Sequence, residues 1–122
     1  MMPRWDNQKP TVQMLGRWQP WHDGHLALFK RAHAKTGQVA VMVRDVGGTP
    51  ENPFVWDDVR MRIIDGLTAA GYEHQRDFMV LLVPNITNIT YGRDVGYKIE
   101  QEVFDEETHA ISATKIRKEM GL

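Results

Sequence analysis

Ten consecutive residues, Gly16-Arg17-Trp18-Gln19-Pro20-Trp21-His22-Asp23-Gly24-His25, hold a combination suited to phosphate chemistry. His22 and His25 lie three apart, so on an opening helix both can direct an imidazole donor at one phosphate, neutral or charged as needed. Gly16 lets the backbone turn sharply or come close to a ligand, and Gly24 lets a helix start lie against one. A helix N-terminus there offers N–H groups to an anion. Either histidine alone reads as a surface residue or a satisfied core histidine. Together with the glycines and proline, the pair reads as a clamp on a transition state. Trp18 and Trp21 are placed either to stack on a base or to pack under the loop.

A second group, Ile111-Ser112-Ala113-Thr114-Lys115-Ile116-Arg117, brings two hydroxyls and two cations into one or two helical turns. By itself it reads as an N-cap at Ser112 followed by solvated cations. Beside the first group it reads as a polyphosphate holder, with Arg117 gripping an oxygen.

The elements that must position these residues follow from periodicity. Val12 to Leu15 is a short buried strand that breaks at Gly16. His25 to about Lys35 has no breaker and pairs Leu28 with Ala32 and Leu26 with Phe29 at helical spacing. Gln38 to Val43 is a valine-rich run of strand length. Arg44 to Pro53 is a loop longer than usual for α/β connections. Trp56 to Ala70 repeats Val59, Ile63 and Leu67 on one helical stripe, against which the interior Gly66 counts. Phe78 to Val83 is a third buried strand, stopped by Pro84. A short strand over Ile86 to Tyr91, a short helix over Tyr97 to Val103 and a last helix over Ser112 to Met120, closed by Gly121, complete the expectation. Apolar strands alternating with helices imply an α/β, Rossmann-like doubly wound parallel sheet in one compact domain spanning residues 1–122. The first group then falls on the ligand edge of that sheet.

Composition removes several function classes. The chain has 122 residues, 42% apolar and 25% charged, the balance of a globular protein. There is no cysteine, which excludes disulfides, thiolate nucleophiles and cysteine-rich metal sites, so any metal must use oxygen or imidazole ligands. The formal net charge is −1, with no global basic field to draw the chain onto nucleic acid. No apolar run is long enough for a membrane span and no secretory signal is evident, so a cytoplasmic protein is expected.

The ordered pair HxGH after a glycine-proline loop and ISxTxIR near the C-terminus resembles the nucleotidyltransferase superfamily of cytidylyltransferases and adenylyltransferases, over almost the whole chain. Gly16 to His25 is most similar to the GRFQPFHxGH form of archaeal-type nicotinamide mononucleotide adenylyltransferases. The ISATKIR ending and overall size resemble glycerol-3-phosphate cytidylyltransferase equally well. Class I aminoacyl-tRNA synthetases share HxGH, but the chain is short for one and lacks KMSKS.

The resemblance implies transfer of AMP, less readily CMP, from ATP or CTP to a phosphate-bearing small molecule with release of pyrophosphate and no covalent enzyme intermediate. It implies that His22, His25 and Arg117 are catalytic, with His25 stabilising the transition state. Gly16, Arg17, Trp18, Gly24, Ile111, Ser112 and Thr114 would line the nucleotide, Ser112 and Thr114 holding its β- and γ-phosphates. Asp94, in Gly92-Arg93-Asp94, is placed either near the ribose or base or in a plain exposed turn. Arg44 and Arg60 are candidates for the acceptor's phosphate, each with an ordinary solvated arginine as the alternative. Mg²⁺ would bridge phosphates with few protein ligands, a homo-oligomer is implied, and no nucleic acid or membrane is expected as a partner. In glycerol-3-phosphate cytidylyltransferase an arginine precedes the final helix as RTEGIS; here the stretch is Glu107-Thr108-His109-Ala110-Ile111-Ser112. The missing arginine favours ATP over CTP. The loop Asp45 to Pro53 matches no known acceptor pocket. A non-catalytic nucleotide-binding module or sensor is the competing reading, distinguished by binding without turnover.

Overall fold

The computed structural model describes residues 4–93, 96–102 and 113–121. Three parallel strands form one sheet in the order β1-β2-β3: β1 is Val12–Gly16, β2 Val39–Arg44 and β3 Phe78–Val83. The register aligns Val12 with Val39 and Gly16 with Val43 across β1 and β2, and Val39 with Phe78 and Arg44 with Val83 across β2 and β3. Helix α1, Asp23–Thr36, returns the chain from β1 to β2 and packs on both; α2, Trp56–Ala69, links β2 to β3 and packs on β3. A last helix, α3, covers Ala113–Glu119. Parallel strands joined by helices need apolar strand faces, as the runs VAVMV and FMVLLV supply. This small parallel sheet with its crossover helices is compatible with the α/β, Rossmann-like arrangement expected of the sequence.

Among the described residues the core is drawn from residues 14 to 80. Phe29, Val39, Val41, Ile63, Leu67 and Phe78 are fully enclosed. The expected stripe Val59, Ile63 and Leu67 is the buried face of α2. At the amino edge of the sheet His33 contacts Asp77 at 3.0 Å, and Asp77 also accepts from the Glu73 N–H at 2.8 Å. Burial pushes the Asp77 carboxyl up, but these hydrogen bonds and the His33 and Arg76 charges outweigh it and leave its pKa lowered. Gly37 closes α1 at φ 77, with its N–H on the His33 carbonyl.

Two expected elements are absent. Residues Ile86 to Tyr91 form no strand. Ile86 and Ile89 lie three apart, so they share no face of a strand, and the Thr87 hydroxyl donates to Asn88 Oδ1. Residues 97–102 of the expected helix over Tyr97 to Val103 are not helical, and Val103 lies outside the described residues. Tyr97 and Ile99 are two apart, which makes no helical stripe, and both are exposed. Instead the segment is tied to α1 through Lys35 with Glu100 and Glu102, and Arg31 with Glu102. Among the described residues no helix is long and apolar enough to cross a membrane.

Candidate functional site

Because the strands are parallel, the loops after Gly16, Arg44 and Val83 all leave from one sheet edge, the edge where α/β proteins take ligands. The two sequence groups meet there. Arg117 on α3 donates through Nη1 to the carbonyl of Gln19, 98 positions away in sequence.

His22 is the N-cap of α1. Its Nδ1 accepts from the N–H groups of Gly24 at 3.1 Å and His25 at 3.4 Å, while the His22 N–H donates to His25 Nδ1 at 3.2 Å. This is a capping box built from two imidazoles instead of a hydroxyl and a carboxylate. The rings stack with centroids 3.6 Å apart, tilted by only 17°. Two consequences follow. The amides of Gly24 and His25 are already satisfied, so anion binding at this helix start would fall to the side chains rather than to those N–H groups. Each ring also has Nδ1 fixed as an acceptor, which places the proton of the neutral form on Nε2.

Burial acts on both rings. It pushes His25 down to about 3, helped by the charge of His22 stacked on it. It lowers His22 as well, opposed by the Asp23 charge and a backbone hydrogen bond. Neutral Nε2–H donors are therefore the state of the pair near pH 7.

Trp18 takes the packed alternative. It is 6% exposed, and its Nε1–H donates to the Met42 carbonyl at 3.0 Å, so little indole face is left for a base. A Cβ on Gly16 would lie 2.7 Å from the Trp18 ring, so only glycine lets β1 end beneath it. Trp21 lies on Gly66, whose Cβ would come within 3.1 Å of the indole. The glycine that counted against α2 is thus the floor on which the loop rests.

Gln19 was not singled out by its sequence. Its side chain is buried and makes a two-way bridge to the backbone of Phe54, Nε2 donating to the carbonyl at 2.8 Å and Oε1 accepting from the N–H at 2.9 Å. It joins the first loop to the long 45–55 loop as its own carbonyl joins α3. The signal was present as the Gln inside Gly16 to Pro20, but a glutamine carries no chemistry that spacing alone would reveal.

Arg44 ends β2 beside a small open cleft, which Gln19, Gly47, Phe54, Trp56 and Leu82 also line. Its enclosed space is about that of one water molecule. Arg44 Nη2 donates to Asn85 Oδ1 at 2.8 Å, whereas its buried Nε has no partner. Arg17 is exposed and reaches Asn52 Oδ1 at 3.5 Å. Arg60 lies on α2, where its charge adds to the lowering of the His74 pKa, burial being the larger cause. Thr114 lies in the first turn of α3, while Asp94, Ile111 and Ser112 lie outside the described residues. The structure thus brings Gly16, Trp18, His22, Gly24, His25 and Arg117 together around one loop and leaves Arg60 on a helix behind it.

The resemblance to the nucleotidyltransferase superfamily holds at whole-chain level. No family model matches the chain. It is similar to the nicotinamide-nucleotide adenylyltransferase of Methanococcus aeolicus, 23% identical over 84% of this chain and 66% of that protein. Two proteins of the same name from strains of Methanococcus maripaludis are 25% and 24% identical, over 88% of this chain and 75% of theirs. The chain therefore spans about two thirds of the length of the first and three quarters of the other two.

Proposed function

We propose that this protein is an adenylyltransferase that moves AMP from ATP to a phosphate-bearing small molecule, with nicotinamide mononucleotide the first acceptor to test. The observation that carries the reading is the convergence of the His22–His25 box and Arg117 on one loop, in a chain similar to three proteins named for that activity. The reading includes a single nucleotidyltransferase domain with a doubly wound sheet, and a homo-oligomeric, cytoplasmic enzyme.

In the proposed reaction an oxygen of the acceptor's phosphate attacks the α-phosphorus of ATP. The new P–O bond forms as the bond from the α-phosphorus to the α–β bridging oxygen breaks, and pyrophosphate leaves with that oxygen. Little covalent chemistry is asked of the protein; positioning and charge stabilisation suffice. The Nε2–H groups of His25 and His22 donate to the non-bridging oxygens as negative charge grows there. Arg117, which lies against the loop carbonyl, would stabilise the charge of the leaving phosphates. Thr114 and Ser112 would hold those phosphates at the start of α3, with Gly16, Arg17, Gly24 and Ile111 lining the nucleotide and Asp94 near its ribose or base.

The unpartnered Nε of Arg44, beside an open cleft, fits an acceptor phosphate, since a buried donor without a partner costs about 1–3 kcal/mol that an anion would relieve. Arg60 would add long-range positive charge. Mg²⁺, when bound, supplies charge neutralisation on the triphosphate. Its oxygen ligands would come largely from the phosphates themselves. Among the described residues no three His, Asp or Glu cluster as a metal cage.

The test is pyrophosphate release with ATP and CTP in parallel, each with Mg²⁺ and with nicotinamide mononucleotide, glycerol-3-phosphate, phosphopantetheine or flavin mononucleotide. Release with ATP and one acceptor, abolished in a folded His25→Ala variant, is the expected result. Release with CTP alone, or full turnover in His25→Ala, refutes the reading.

A further inference from the structure

His25 is enclosed by two indoles. Trp18 meets its ring edge-on with centroids 4.7 Å apart at 84°, and Trp21 meets it at 5.3 Å and 44°. The indoles are 5.4 Å from each other, so they form one continuous wall. That wall is fixed at three points: the Trp18 Nε1–H on the Met42 carbonyl of β2, the bare Cα of Gly16 under Trp18, and the bare Cα of Gly66 on α2 under Trp21. Trp18 is held at φ 52, a left-handed conformation that bulky residues adopt only when their surroundings impose it. On its other face His25 stacks on His22.

We propose that Trp18 and Trp21 are positioning residues that hold the His25 imidazole in one orientation and one tautomer, with Nδ1 turned to the His22 N–H and the proton on Nε2. Neither indole needs to touch a nucleotide to do this. An imidazole free to turn would divide its time between tautomers and would take up a second proton near pH 6.5. Walled by apolar rings, it stays neutral, because they withhold the water that would solvate its cation. The ionisable groups around the ring are His22, stacked on it; Asp23, beside His22; and Arg117 of α3, on the carbonyl of Gln19 across the loop. Of these it is His22 whose charge bears on His25, and in the same direction as burial. α2 meets the wall through Gly66, under Trp21.

The consequence for turnover rests on the adenylyltransferase reading, but the state of the ring can be read without turnover. The experiment is nitrogen-15 NMR of the histidine side chains across pH 3 to 8 in the full chain, for the wild type, Trp18→Phe and Trp21→Phe. The wild type is expected to show His25 as the Nε2–H tautomer throughout the neutral range, with protonation deferred far into acid. In each variant the titration moves up toward the ordinary imidazole range and the Nδ1–H form gains population. Where turnover is found, the acid limb of its pH profile moves in the same direction. If Trp18→Phe fails to fold, Trp21→Phe, whose indole is only half-buried, decides alone. Folded variants whose His25 keeps the wild-type tautomer and titration overturn the proposal. A shifted titration with no turnover on any acceptor leaves the positioning role standing and removes the adenylyltransferase reading instead.

Discussion

In the proposed reaction His22 has two jobs that substitution can separate, because its Nδ1 caps α1 while its Nε2–H would serve the ligand. Asparagine is among the best N-caps and carries no imidazole. The His22→Asn variant is therefore expected to unfold within a few tenths of a kcal/mol of wild type yet lose about 10²- to 10³-fold in turnover, the scale of one lost transition-state donor. His22→Ala should lose a similar factor in rate and about 1 kcal/mol of stability as well, read by denaturant titration. His25 carries a pH signature. Its folded-state pKa lies near 3, below the unfolded value near 6.5, so between these limits the unfolded chain binds more protons and stability falls as pH drops. Denaturation midpoints should decline from pH 7 to pH 4, and His25→Ala should flatten much of that slope. A midpoint independent of pH in the wild type would contradict the enclosed, neutral ring.

At the scale of elements, the loop from Gly16 to His22 is set by what lies under and beside it. Gly66→Ala would ordinarily gain about 1 kcal/mol of helix propensity. Here its Cβ would press on an indole already held between Trp18 and His25, so no gain is expected in thermal unfolding. Gln19→Ala leaves both the N–H and the carbonyl of Phe54 without their side-chain partner, and should cost about 2 kcal/mol or more while loosening the 45–55 loop. Amide exchange at Phe54 would show it. Strands β1 to β3 and helices α1 and α2 were legible in the sequence because each carries a strong apolar period or run, and all but β2 end at or close to Gly or Pro. The stretch from Ile86 to Glu102 was not, because its scattered apolar residues and charges describe surface chain as well as they describe elements. Within the site, His22, His25 and Arg117 were legible from residue type and spacing. The bridging of Gln19 and the packing of Trp21 on Gly66 were not, since both depend on contacts between distant parts of the chain.

On the scale of the whole molecule, the buried core among the described residues ends at Val80, and α3 meets the first loop where Arg117 donates to the Gln19 carbonyl. Loss of the Arg117 bond to Gln19 in Arg117→Ala is expected to lower stability by about 1.5–3 kcal/mol, the worth of a charge-assisted hydrogen bond, while turnover falls at least 100-fold. Parallel measurement of unfolding and pyrophosphate release separates the two effects. If the variant unfolded as readily as a core substitution, α3 would have to be counted as part of the foundation.

The same arrangement bears on how a pull would travel through the protein. Arg117 is anchored on the carbonyl of Gln19, and the side chain of Gln19 is anchored on the backbone of Phe54, so a tug on α3 is felt in the 45–55 loop. Gln19 works there as a linchpin between parts of the chain far apart in sequence.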